Sequence, residues 1–228
     1  MSRSGRLSIA LGIFVVGIGL AVFAASRLLA ATPPAVDFTA GHQPGQPVNM
    51  TIQTVGAIGV GYGPHPTWVS YLVQSPSGQW VHSTVWTLPA HTRINVTLYQ
   101  YDSGGPLRNQ ILGQVAGTIG NDMVLNGHVT SIIDSNSSTG NGVGHTFTIP
   151  TLGINVPLYA DSGTANLCGQ APCTTSSPNN VIKFSFMTPG PGNYPWQCFL
   201  PCGLGFLYGN GGPMQTLGYM DGFLKVTA

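Results

Sequence analysis

Two cysteines four residues apart and a methionine near the chain end stand in "NYPWQCFLPCG" and "GYMDGFLKV" as Cys198, Cys202 and Met220. Thiolate and thioether sulfur are soft donors, and with an imidazole beside them they favour copper over hard divalent cations. The imidazole is His145 of "GHTFTIP", the last of six histidines. Residues 199–219 therefore supply no second nitrogen donor. Met214 is the thioether in that gap that can stand in for one.

These residues need strands to bring them together. His145, Phe147 and Ile149 fall on one face of a predicted strand, and Tyr194, Trp196 and Cys198 on one face of another. Met220, Leu224 and Val226 share a face in the last. All three candidate ligands thus point the way core residues point. Further strands are expected in "VNMTIQTV", "TWVSYLVQS", "WVHSTVWTL", "TRINVTLYQY" and "VIKFSFM". In the fourth, Ile94, Val96 and Leu98 alternate with Arg93, Asn95 and Thr97, the pattern of a half-buried strand. Residues 103–142 are rich in Ser, Gly and Asn and are read as an insertion on a sandwich edge, with a hairpin around "QILGQVAGTIGNDMVLNG". Abundant Gly and Pro without long 3.6-residue periodicity make the fold class all-β.

The exception is "LSIALGIFVVGIGLAVFAAS", residues 7–26, an uncharged apolar run long enough to cross a bilayer as a helix. Arg3 and Arg6 precede it and favour a cytoplasmic N-terminus with an exported body. A cleaved signal peptide is the competing reading, but the run exceeds the usual apolar core of a signal. The expected organisation is an anchor over 1–30, a Pro-rich and Gly-rich linker over 31–47, and a β-domain over 48–228. Such a chain sits in the cell membrane as a single-pass protein with its domain on the extracytoplasmic side. Sequons at Asn49, Asn95 and Asn136 agree with export and make a glycoprotein an expectation. Only 6% of the chain is charged, its net charge is +1, and no Glu occurs, so no basic patch exists for nucleic acid.

Other chemistry-bearing stretches carry plainer readings. "DSGGP", Asp102 to Pro106, echoes a serine nucleophile motif, but no Asp apart from Asp102 itself lies between any upstream His and Ser103 to complete that order, so a polar turn is expected. "CGQAPC", Cys168 to Cys173, has no His or acid beside it and reads as a loop disulfide. Cys198 and Cys202 are themselves close enough to bridge. His42, His65, His82, His91 and His128 show no ligand spacing and are assigned to surface or turns.

The chain resembles the cupredoxins. "LPAHTRINVTLYQYD" looks like the strand before the first copper ligand, and "GHTFTIPTLGINVPL" like the histidine segment of subunit II of haem-copper oxidases. "TPGPGNYPWQC" and "MDGFLKV" resemble the family's P-G-x-Y-x-x-x-C strand and M-x-G-x-x-x-V ending. The single N-terminal helix is similar to one-helix oxidase subunits II and to membrane-bound sulfocyanins. The resemblance implies a Greek-key β-sandwich, copper on His145, Cys198 and Met220, and Cys202 as a second, bridging thiolate. The histidine that should follow falls at Phe206, so the copper site is altered or lost, as in quinol-oxidising relatives whose subunit II keeps the sandwich without copper. The implied role is a subunit or partner of a membrane respiratory complex or of another redox protein. Such a chain is not catalytic alone but belongs to an oxidoreductase. Two other classes stay open: a copper-free structural subunit, and an envelope or adhesive β-domain. Exposed apolar groups of "FLPCGLGFLY" around the site are expected to dock the partner.

Overall fold

The computed structural model describes residues 3–30, 34–134, 142–160, 168, 170–174, 178, 180–202 and 212–228. It divides into two compact units, residues 1–33 and 34–228. The first contains one helix, α1 (Arg3–Ala30). Its described side chains run mainly from Leu11 to Ala25 and are exposed. Among the described residues, no helix is long and apolar enough to cross a membrane.

The second unit is all-β. Its strands are β1 (Val36–Asp37), β2 (Val48–Val55), β3 (Ser70–Gln74), β4 (Trp80–Val81), β5 (Val85–Pro89), β6 (Arg93–Gln100) and β7 (Met123–Leu125). They continue as β8 (His128–Thr130), β9 (Gly142–Ile149), β10 (Ile154–Ala160), β11 (Asn180–Met187), β12 (Gly192–Gln197) and β13 (Asp221–Thr227). Among the described residues they form a six-stranded sheet, β1-β5-β13-β12-β9-β10, and a seven-stranded sheet, β4-β3-β2-β6-β11-β7-β8. The chain changes sheet at β1 to β2, β4 to β5, β5 to β6, β8 to β9, β10 to β11 and β11 to β12.

The two inner faces meet through large aromatic side chains. Trp86 and Trp196 of the first sheet stack at 4.7 Å, and Tyr71 of the second meets Trp196 edge-on at 5.0 Å. Phe147 reaches across to Phe184 at 5.4 Å. Such contacts add about 0.5–1.5 kcal/mol per pair beyond the area they bury. Each indole N–H is satisfied: Trp86 donates to the Ser83 carbonyl and Trp196 to that of Thr84. That Thr84 carbonyl also accepts from the Phe223 N–H, and a Cβ at Gly222 would lie 1.9 Å from it. Only glycine lets β13 lie this close to the end of β5.

Most expected strands are present, with instructive departures. "WVHSTVWTL" is two strands in different sheets, because Ser83 turns the chain and its Oγ accepts from the Val85 N–H. The hairpin of the insertion is β7–β8 at the end of the quoted stretch, where Asn126 and Gly127 both have positive φ (49° and 89°). Its first strand pairs with β11, so part of the insertion extends the sheet. β10 was not expected at all. Within the supposed linker, β1 pairs with β5, and Val36 and Phe38 are buried in the core.

Candidate metal centre

β9 carries His145, and Cys198 follows directly on its neighbour β12. Alternation puts the Cys198 side chain inward with Trp196. Two backbone bonds fix the cysteine: its N–H donates to the Met220 carbonyl at 2.9 Å, and its sulfur accepts the Thr146 N–H at 3.4 Å. The chain then turns through Leu200, which is buried, and returns Cys202 to the same spot. Cys198 Sγ and Cys202 Sγ lie 3.4 Å apart, unbonded. His145 Nδ1 stands 3.1 Å from Cys202 Sγ and 3.9 Å from Cys198 Sγ.

The far side of the imidazole is held by a residue the sequence did not single out for this. His145 Nε2 lies 2.9 Å from Asp102 Oδ2. Asp102 opens the "DSGGP" stretch read above as a polar turn, and it does turn: its Oδ1 accepts the Ser103 N–H at 2.8 Å. Its other oxygen is what makes the turn part of the site. The approach needs glycine on both sides, because a Cβ at Gly144 would meet the Ser103 carbonyl at 2.6 Å, and one at Gly104 the Gly144 nitrogen at 2.7 Å. The signal available in the sequence was the pair of small residues beside His145 matched by "SGGP", but nothing local says that the two segments meet.

Burial by itself would push the imidazole toward its neutral form. Asp102 and Cys198 outweigh it and raise His145 to about 9. Burial likewise opposes a thiolate at Cys198, yet the Cys202 thiol, the imidazole and the Thr146 N–H hold that group well below the usual thiol range. Cys202 moves up because it donates to Cys198 and is itself buried. Asp102 stays ionised despite its burial because His145 donates to it. Tyr71, with its hydroxyl on the Thr146 carbonyl, is pushed well above its usual value by burial and by the two sulfurs.

The set is suited to a metal ion. The three donor atoms lie within 4.8 Å of one another, and all three residues are buried. A tetrahedral ion with bonds of about 2.3 Å to sulfur and 2.0 Å to nitrogen needs S···S near 3.8 Å and S···N near 3.5 Å. The observed 3.4, 3.1 and 3.9 Å straddle those values, so the triangle admits an ion after shifts of a few tenths of an ångström. Met220 and Met214 are buried in the same core cluster. Phe206 lies outside the described residues, as do Leu204, Leu207 and Tyr208 of the expected docking loop. Of that loop, Phe199 is exposed and Leu200 buried. A cavity of about 820 Å³ reaches the site, lined by Asp102, His145, Cys202, Arg108, Trp68 and Leu200 among others.

Elsewhere, Cys168 and Cys173 form the expected disulfide. Asn49 and Asn95 are register partners on β2 and β6, the amide of Asn95 donating to that of Asn49 at 2.9 Å; Asn136 lies outside the described residues. His82 is more than a surface residue: it bonds Ser70 Oγ at 3.0 Å, and burial lowers its pKa. His65 stacks on Trp68 at 3.7 Å.

No protein-family model matches the chain, and no curated protein matches it. Among solved structures it is similar to a heme-copper terminal oxidase dimer determined by cryo-electron microscopy, at 15% identity over all of both chains, with a TM-score of 0.31. It is also similar to reduced rusticyanin, 15% identical over 85% of this chain and 84% of that one, with a TM-score of 0.30. A third, rusticyanin from Thiobacillus ferrooxidans, is 15% identical over 89% and 91% of the two chains, with a TM-score of 0.28. At these scores the weight falls on the two sheets and the three gathered side chains themselves.

Proposed function

We propose that this chain is a helix-anchored, extracytoplasmic cupredoxin-like protein with an altered, mononuclear copper site, serving a respiratory electron-transfer complex. The observation that carries the reading is the convergence of His145 Nδ1 with the sulfurs of Cys198 and Cys202 inside the sandwich. Two thiolates and one imidazole would form a soft set suited to copper, with the buried Met220 just before β13 a further thioether candidate. When bound, copper would supply a one-electron couple. The chain's own groups do the rest: Cys198 and Cys202 offer charge, and burial keeps water from the ligands. Loading such a site displaces the protons on His145 Nδ1 and the Cys202 thiol. One imidazole serves one ion, so no dinuclear centre is expected.

Anchoring is supported by the uncharged run of residues 7–26 and by Arg3 and Arg6 before it. Alkaline extraction of membranes tests it; release of the intact chain would refute the anchor. The copper reading is tested by adding Cu(II) to the reduced full-length protein in detergent. A visible thiolate-to-copper band with a mononuclear paramagnetic signal is expected. A delocalised two-copper spectrum would overturn the assignment.

A second reading is favoured by one distance. Sulfurs 3.4 Å apart are a small movement from a bond of about 2.05 Å. Cys198 and Cys202 oxidised to a disulfide would leave a copper-free structural subunit. A protein isolated without free thiols and inert to copper after reduction would establish it.

A further inference from the structure

We propose that Asp102 is the positioning residue of this centre: by accepting the Nε2 proton of His145 it turns Nδ1 onto the two sulfurs. The inference rests on the metal reading above and adds a residue to it. A neutral imidazole carries its proton on one nitrogen or the other, and only the unprotonated nitrogen can bind a metal. The partner of the second nitrogen therefore decides which one is free, and such partners commonly govern metal affinity.

The geometry is specific. Asp102 Oδ2 lies 2.9 Å from His145 Nε2, while Nδ1 on the opposite edge of the ring stands 3.1 Å from Cys202 Sγ. The carboxylate cannot easily turn away, because its other oxygen is occupied by the Ser103 N–H at 2.8 Å. The backbone behind it is clamped to the ligand strand: the Val143 N–H donates to the Gly105 carbonyl at 3.2 Å, and Gly104 packs against the backbone of Gly144. The side chains of His145 and Asp102 keep only 4% and 17% of their surface exposed. Water therefore competes weakly for the bond.

The carboxylate is needed for more than its charge. Two N–H groups, from Ser103 and His145, require two acceptor atoms, and an amide has one. In Asp102→Asn, either the Ser103 N–H faces an NH2 group or the imidazole does. In the second case the imidazole gains by moving its proton to Nδ1, which blocks the metal-binding atom. Two thiolates and an adjacent carboxylate also favour the more highly charged state of a bound ion, so removing the carboxylate should raise the reduction potential.

The test compares wild type, Asp102→Asn and Asp102→Ala as full-length protein in detergent, with folding checked by circular dichroism. Cobalt(II) absorption titrations read affinity, copper voltammetry reads the potential, and nitrogen-15 spectra of labelled histidine read the proton on each ring nitrogen. Both variants should bind cobalt 10- to 100-fold more weakly and show a higher copper potential. Wild type should carry a slowly exchanging proton on Nε2 that the Ala variant lacks. Wild-type affinity and potential in both variants would overturn the proposal. Wild-type protein that binds neither metal would sink the metal reading instead. The imidazole spectrum of the metal-free protein then decides the positioning role: an Nε2 proton lost in Ala supports it, and its absence from wild type overturns it.

Discussion

Two pairs of cysteines, similarly spaced, have entered different chemistry. Cys168 and Cys173 are joined, five positions and 5.6 Å between Cα atoms apart. They pack in a small cluster with Val55, Ile58, Leu72 and Tyr219. The Tyr101 hydroxyl donates to the Cys173 carbonyl, and Gln53 Oε1 accepts the Cys173 N–H. Cys198 and Cys202 are one position closer in sequence and remain thiols, buried beside His145. Spacing did not separate the pairs; their neighbours did. Backbone and aromatic partners hold a crosslink, whereas an imidazole with a carboxylate behind it stabilises a thiolate.

The contrast breaks most sharply at Cys198. Cys198→Ser should abolish the thiolate-to-copper band and weaken copper binding by about 100-fold or more. Competition against a chelator of known affinity measures it. Replacing Cys168 and Cys173 together should leave both band and stoichiometry intact. A double variant that lost the band would show that the two regions are one unit.

The reverse experiment has the next largest effect. Losing the Cys168–Cys173 crosslink frees a loop of about six residues, which the chain-entropy estimate puts at about 2 kcal/mol. Urea denaturation of the metal-free protein should show that loss as a lower midpoint with a similar slope. An unchanged midpoint would mean that the hydrogen bonds at Gln53 and Tyr101 suffice to hold the loop.

The smallest effect concerns pH and sharpens the comparison, because a disulfide does not titrate. His145 is raised to about 9, so its contribution is complete below the ordinary imidazole value near 6.5 and fades as pH rises through 9. Cys198 is lowered, so its contribution is complete above the ordinary thiol value near 8.5 and fades as pH falls toward its folded value. Between roughly 6.5 and 8.5 the folded ion pair and the unfolded neutral pair bind equal numbers of protons, so stability should be flat. It should fall on either side, more steeply on the alkaline side because Cys202 also resists ionising when folded. Urea midpoints from pH 5.5 to 10 test this; a profile unchanged by Cys198→Ser would remove the ion pair.

Alternation made much of the sandwich legible. β6 and β11 expose and bury residues in the pattern their sequences show, and β2 does so over its first half, before Gln53 and Thr54 are buried as well. β10 escaped because "INVPLYA" contains Pro157 and is buried on nearly every residue, leaving no period of two. His145 and Cys198 were legible as donor types on inward-facing positions, and Cys202 as the second thiolate that the resemblance implies. Asp102 was not, since it stands 43 residues from His145 and reaches it only through a backbone approach between glycines. Val36 and Phe38 were hidden in the same way: a Pro-rich neighbourhood announces a spacer, and only a free edge beside β5 turned it into a strand.

Gly222 bears on how far such a chain can drift. The glycine of the "MDGFLKV" ending has a steric reason that involves no metal: any side chain there would collide with the carbonyl of Thr84, on which Trp196 also depends. A lineage that abandoned copper would be free to replace Cys202, His145 or Met220, but not this position. Across descendants, the glycine should outlast the ligands. The ending then testifies to ancestry and architecture, and presence of the cysteines and the histidine must be checked separately before it is taken as testimony to redox work.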